Sequence, residues 1–323
     1  MAEDTSRPID EGPINDGPID AHPTDDGVVL GANQYGKAEV RVVKITRDTA
    51  RHEIDDLSVT SQLRGDFAAA HLAGDNGHVV PTDTQKNTVF ALARDGIGAP
   101  EQFLLRLSDH FTSRFDWVSG GRWSAESYAW ERIEVDGHGH DHSLARKGQE
   151  TRTALVVADG AARHVISGLT GLTVLKTTES GFVGYPKDQY TTLPETMDRI
   201  LATDVTARWR YREGTRDLDF DTIYVDVKRL LLEEFARRYS AALQTTMFDM
   251  GRRVLQVHPE IAEIRMSLPN KHHFVVDLTP FDLDNPNEVF FAADRPYGLI
   301  EASITRDGQP EAPEAWEAAT PFC

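Results

Sequence analysis

Apolar and polar positions along the chain fall into two regimes, and their order repeats. EVRVVKITR (residues 39–47) and HEIDDLSVTSQLRG (residues 52–65) read as strands. TDTQKNTVFALARD and PEQFLLRLSDHFTSRF follow, with Phe103, Leu104, Leu107 and Phe111 of the latter at helical spacing. WVSGGRWSAESYAWERI and TRTALVVADGAARHVISG then return to strand. The second half runs through the same order. GLTVLKTTES and ATDVTARWRYREG read as strands, and a helical stretch from Asp219 to Val257 carries Val227, Leu231, Phe235 and Tyr239 on one stripe. Ser240 is the expected N-cap dividing that stretch, with Leu243 and Gln244 in the first turn of its second helix. Strand, strand, helix, helix, strand, strand, read twice, predicts an α+β protein of two modules, residues 29–170 and 171–307, with antiparallel sheets and two helices on one face of each. Sheets of this kind have open edges, which favour oligomers that close them into barrels.

One strand breaks its own pattern. In EIRMSLPNKHHFVVDL, Ile264, Met266 and Leu268 alternate with polar residues and should face the core, so Asn270 and His272 should point the same way. Two buried polar side chains on an apolar face imply a lined pocket, because such groups are costly without partners. Pro269 cannot donate to a sheet ladder, which suggests an edge or a bulge there and the chance of a reversed facing.

The remaining composition narrows the class. With 323 residues, 40% of them apolar, the chain can bury one large core or two ordinary ones. No run approaches the roughly 18 apolar residues of a membrane span, and no basic-then-apolar leader opens the chain, so the expectation is a cytoplasmic protein without membrane partners. Cys323 is the sole cysteine, so an internal disulfide or cysteine-based metal site is ruled out within one chain. The formal charge of −18 argues against nucleic acid and means that an anionic ligand needs a local basic pocket. Residues 1–28, with the repeat PIDEGPINDGPID, predict a disordered acidic tail, and residues 308–323 form a C-terminal extension.

Several short strings carry candidate chemistry beside a plainer reading. Thr82 and Asp83 in VPTDTQKNT are ordinary helix-start residues, and they also present a hydroxyl and free N–H groups to a ligand. Lys37 in NQYGKAEV is a surface charge or, if desolvated, a base. Arg199 lies beside Asp198 and near Glu195, which points to a surface ion pair, yet guanidinium also suits a planar bidentate acceptor. Phe182, flanked by glycines, is a core aromatic or a stacking platform. DGHGHDH, Asp136 to His142, is the most metal-like string, but it sits between predicted strands without a strongly placed fourth ligand and reads as a solvated loop.

Taken together, YGK, TDTQKNT, GLTVLKTTES with Phe182 behind it, YTTLPETMDRILATDV, ALQTTM and SLPNKHHFVVDL resemble the urate oxidase (uricase) family, in its order and over roughly Val29 to Arg306. The resemblance implies the tunnelling fold (T-fold), a homotetramer with sites at subunit interfaces, and oxidation of urate by O2 and water to 5-hydroxyisourate and hydrogen peroxide without metal or organic cofactor. It implies a Lys37–Thr82 catalytic pair with His272 completing a proton relay, and Asn270 with Thr82 holding oxygen and then water. It further implies Arg199 and Gln244 as a clamp on the purine edge, Phe182 as the stacking ring, and Asp83 and Leu243 as backbone contacts. Leu243 stands where many relatives have valine, and the chain ends in TPFC without a peroxisomal signal. Two rivals are a zinc-dependent pterin or purine enzyme of the same fold and a purine-binding protein without turnover. The scarcity of cysteine opposes the first, and the joint presence of Lys37, Thr82 and His272 opposes the second.

Overall fold

A computed structural model describes residues 27–317. The acidic tail expected over residues 1–28 lies almost wholly outside them. The described residues sort into two units, a small one of residues 27–33 with 66–79 and a large one of residues 34–65 with 80–317. The small unit contains the short helix α1 (Ala68–Ala73), closed by Gly74 in the left-handed conformation and not anticipated from the sequence.

In the large unit the chain runs β1 (Tyr35–Thr46), β2 (Glu53–Arg64), α2 (Thr82–Arg94), α3 (Pro100–Arg114), β3 (Gly120–Ser127), β4 (Trp130–Val135), β5 (His138–Arg146) and β6 (Thr151–Asp159). It continues through β7 (Ala162–Lys176), β8 (Leu201–Tyr211), α4 (Phe220–Arg237), α5 (Leu243–Val257), β9 (Ile261–Val275), β10 (Phe290–Thr305) and α6 (Pro313–Glu317). Setting aside the β4–β5 hairpin, the predicted double pass of two strands, two helices and two strands is what forms. Its eight strands make one antiparallel sheet in the order β1-β2-β3-β6-β7-β8-β9-β10.

The alternation of each strand selects one face for the core. A single row of cross-strand partners, Val40, Val59, Ala125, Ala154, Ser167, Trp209, Ile264 and Ile304, traverses all eight strands. Every member of it is buried. Phe103, Leu104, Leu107 and Phe111 of α3 and Val227, Leu231 and Phe235 of α4 are also buried, as their helical spacing predicted. At the seam between the halves, the Glu101 carboxylate on α3 accepts from the Arg152 guanidinium at 2.7 Å and from the Ser167 hydroxyl at 2.5 Å. The described part of the C-terminal extension folds back on the sheet, where Ala312, Ala315 and Trp316 join Leu155, Val157 and Ile166 in a small apolar cluster.

Five expectations change. TRTALVVADGAARHVISG is not one strand but β6, a turn at Gly160 and Ala161, and the first part of β7. β7 runs through residues 170 and 171, so the proposed module boundary falls inside one strand, at a register slip where Gly171 has φ 76°. WVSGGRWSAESYAWERI is two strands, broken at Tyr128 and Ala129. The N-cap of α5 is Ala242, while the buried Ser240 hydroxyl bonds Thr246 Oγ1 at 2.6 Å. Tyr239 lies beyond the end of α4 and is exposed, so it does not extend that helix's apolar stripe.

Candidate active site

The first group of predicted residues gathers where β1 begins and α2 starts. The Tyr35 hydroxyl donates to the Val80 carbonyl at 3.2 Å and accepts from the Val80 N–H at 2.7 Å, tying the strand entrance to the residues just before α2. Gly36 lies against β2 so closely that a Cβ would fall 1.8 Å from the Ser61 carbonyl oxygen. Lys37 pairs with Ser61, and the register then slips before Val40, with Glu39 at φ 54°. A bulge of this kind re-aims the side chains beside it, and Lys37 is left half-buried. Ser61 in turn donates to Gln85 Oε1 at 3.0 Å, so the strand that pairs with Lys37 also holds the first turn of α2.

Thr82 and Asp83 open α2 behind Pro81, an N-cap without a side-chain acceptor, and the first N–H groups of a helix have no partner within it. The Asp83 carboxylate is engaged locally by Lys86 and by Asn87 at 2.9 Å. The Lys86 hydrogen bond is the main cause that holds the Asp83 carboxyl below the usual range, and the charge of Lys37 adds to it.

The second group is knitted from three segments and β9. Phe182 N–H donates to Thr196 O at 2.7 Å and Thr196 N–H returns to Phe182 O at 3.1 Å, while Arg199 N–H donates to Ser180 O at 2.8 Å. Gly181 N–H donates to Ser240 O at 2.9 Å, three residues before Leu243 and Gln244 open α5. The Phe182 ring stacks on Tyr185 at 4.7 Å, and the Arg199 guanidinium lies 5.3 Å from its centroid. Among the described residues the expected Arg199 ion pair is not found. Asp198 accepts instead from Thr178, and Glu195 from Lys187 and the Gly184 N–H.

Arg199 Nε is buried without a hydrogen-bond partner among the described residues, as are Ser180 Oγ and Thr203 Oγ1. Desolvation depresses the Arg199 pKa. Burial, followed by the nearby Arg199 and His273 charges, likewise pushes His272 below the ordinary histidine value. Asn270 pairs across the sheet with the buried Thr203. The β8–β9 register holds from Thr206↔Ser267 to Ala202↔Lys271, so Pro269 does not reverse the facing. Nor is Pro269 at an edge: β9 lies between β8 and β10, and the irregularity falls on β10 between Ala293 and Gly298.

These two groups sit toward opposite ends of the sheet. β1 and β9 are six strand spacings apart, roughly 30 Å along the sheet. Lys37, Thr82 and Asp83 therefore form one half, and Phe182, Arg199, Leu243, Gln244, Asn270 and His272 the other.

DGHGHDH is largely solvent-exposed, as expected, but most of it is strand and not loop. It is the turn at Asp136 and Gly137 followed by β5, with His140 and His142 rings 4.5 Å apart. Among the described residues no group of three or more His, Cys, Asp or Glu is arranged to hold a metal ion.

Comparison with known proteins shows the family of the chain. The uricase family profile matches residues 33–157 and 165–301. A uricase from Arthrobacter globiformis is 62% identical over 300 residues, covering 93% of this chain and 97% of that protein. The chain belongs to the uricase family. A crystal structure of uricase from Arthrobacter globiformis superposes with a TM-score of 0.85 at 64% identity, covering 88% of this chain and 97% of that one. Urate oxidase from Bacillus sp. TB-90, at 20% identity, supports the fold alone, with a TM-score of 0.72 over 85% of this chain and 100% of that one. A uricase from Schizosaccharomyces pombe is 38% identical over 284 residues, 84% of this chain and 96% of that protein.

Uricase family membership makes the protein an oxidoreductase of the urate oxidase class with an α+β T-fold. Within that family frame, the sequence did not single out Tyr35 and Gln85, which set the first half, or Ser180 and Thr203, which border the second. Tyr35 and Gln85 do lie inside the strings YGK and TDTQKNT, where their spacing to Lys37 and Thr82 was the available signal.

Proposed function

We propose that the protein oxidises urate with O2 and water to 5-hydroxyisourate and hydrogen peroxide, in a site that two copies of the chain complete together. The observation that carries this is Arg199, a half-buried guanidinium whose Nε has no hydrogen-bond partner among the described residues, set beside the ring of Phe182 and near enough to His272 for its charge to bear on that imidazole. Urate is planar and anionic. Lying on Phe182, it presents its edge to the Arg199 donors and to the Gln244 amide, which supplies one donor and one acceptor. The free N–H groups of Leu243 and Asp83, each in the first turn of a helix, complete the pairing of its heteroatoms.

The chemistry makes the substrate itself the electron donor. Lys37, acting through the Thr82 hydroxyl, removes a second urate proton and leaves an electron-rich dianion. Two electrons pass to O2, held over the ring by Asn270 and Thr82, and His272 relays protons so that peroxide leaves. Water then takes the oxygen's place and adds to the oxidised ring at C5. The balance is urate plus O2 plus H2O giving 5-hydroxyisourate plus H2O2. Because the Lys37 half and the Arg199 half lie far apart along one sheet, a second copy supplies the missing half of each site. Closure of open sheet edges into barrels within a homotetramer provides that arrangement. We propose further that the enzyme works in the cytoplasm.

The test follows the loss of urate ultraviolet absorbance in air-saturated buffer with peroxide measured in parallel, on chelator-treated protein. Equimolar urate loss and peroxide formation are expected. Turnover that returns only when metal is restored would overturn the cofactor-free reading, and tight urate binding without turnover would leave a binding protein.

A further inference from the structure

We propose that Tyr239, seated through its hydroxyl against Gly181, is the positioning residue that sets Phe182 and Arg199 in register for the purine. This rests on the reading of the site above. Arg199 needs outside support, because its Nε finds no hydrogen-bond partner and its neighbouring carboxylates are engaged elsewhere. Its place is therefore fixed through the backbone.

Three segments meet there, residues 179–182, 196–199 and 239–240. Ser240 N–H donates to Glu179 O at 2.8 Å, and Gly181 N–H donates to Ser240 O at 2.9 Å. Tyr239 adds a side-chain tie between the outer segments, donating from its hydroxyl to Met197 O at 2.9 Å. A Cβ on Gly181 would lie 2.1 Å from that hydroxyl oxygen and 3.0 Å from Thr196 O, so the absence of a side chain at 181 makes the seat. Gly181 has no positive φ, so alanine there tests space and not backbone strain. Tyr239 is also near enough to act electrostatically on the Arg199 guanidinium.

The sequence places Tyr239 on a helical stripe, but the fold takes it out of α4 and turns it to this task. The ring remains largely exposed, so the hydroxyl is the part with a structural partner.

The test compares Tyr239→Phe, Gly181→Ala and the double variant. The KM for urate should rise about fivefold in Tyr239→Phe, the factor given by about 1 kcal/mol of lost hydrogen bonding, with kcat within twofold of the parent. Gly181→Ala should match it. The double variant should be no worse than either, since both substitutions break one contact. A lowered melting temperature with unchanged KM, or additive KM effects, would overturn the proposal. Xanthine affinity measured by calorimetry on the same variants separates the two readings. If the parent protein does not oxidise urate, a xanthine Kd raised in Tyr239→Phe still supports the seat, and an unchanged Kd overturns it.

Discussion

An arginine that loses solvent without gaining a carboxylate carries a cost that its own fold does not repay, and Arg199 is held in that state. Arg199→Ala should therefore leave the melting temperature unchanged or slightly higher while KM for urate rises roughly tenfold to hundredfold, the range of a lost charge-assisted hydrogen bond. A fall in stability with normal KM would assign Arg199 to the scaffold. His272 presents the linked titration problem. Its pKa in the fold lies below the ordinary value near 6.5, so the unfolded chain takes up a proton first as pH falls. The sign is then fixed: His272 costs no stability above about pH 6.5 and lowers it progressively below, until the folded form also protonates. His272→Asn should flatten the acid side of the stability profile relative to the parent, as read by urea unfolding between pH 7 and 5. An identical slope in both proteins would mean that His272 is not held neutral.

At the scale of elements, the candidate residues fall where regular structure is interrupted. Lys37 lies beside a bulge near the start of β1, Thr82 opens a helix capped only by a proline, and Phe182 sits in an irregular segment bridged to Thr196. Gly36 makes the first of these interruptions fit, since β2 approaches to a distance that a methyl group cannot share. Gly36→Ala should destabilise the protein by roughly 1–3 kcal/mol through overpacking against backbone and should reduce turnover, checked by denaturant unfolding and the urate assay. Stability equal to the parent's would show that β1 can move aside. Strands, helices and their order were legible from period and spacing because each element buries one face, as the row from Val40 to Ile304 illustrates. What period does not encode is where a strand stops or joins another. β7 reads as two strands because the slip at Gly171 resets its alternation, and β3 and β4 read as one because apolar residues continue across their break. Alternation gave an expected facing for Asn270 and His272, but the other candidate residues were legible only as strings, and the ties that set their surroundings, Tyr35 to Val80 and Ser61 to Gln85, depend on contacts between distant segments.

For the whole molecule, the strand order poses the decisive question. A single sheet with β1 at one edge and β9 near the other cannot bring Lys37 to Arg199 unless the sheet closes on itself or a second sheet meets it. If two copies meet, every site draws Lys37 and Thr82 from one chain and Phe182, Arg199 and His272 from its partner. Lys37→Met removes the proposed base, and Arg199→Ala removes the clamp, so each variant alone should be nearly inactive at low urate. Co-refolding the two in equal amounts should nevertheless restore about a quarter of the parent's sites, because about half of the random pairs are mixed and each mixed pair carries one intact site and one with both defects. Sites formed within single chains would give no recovery at any mixing ratio. Recovery that grows with protein concentration during refolding, measured against each variant refolded alone, would locate the chemistry between subunits and make assembly a condition for catalysis.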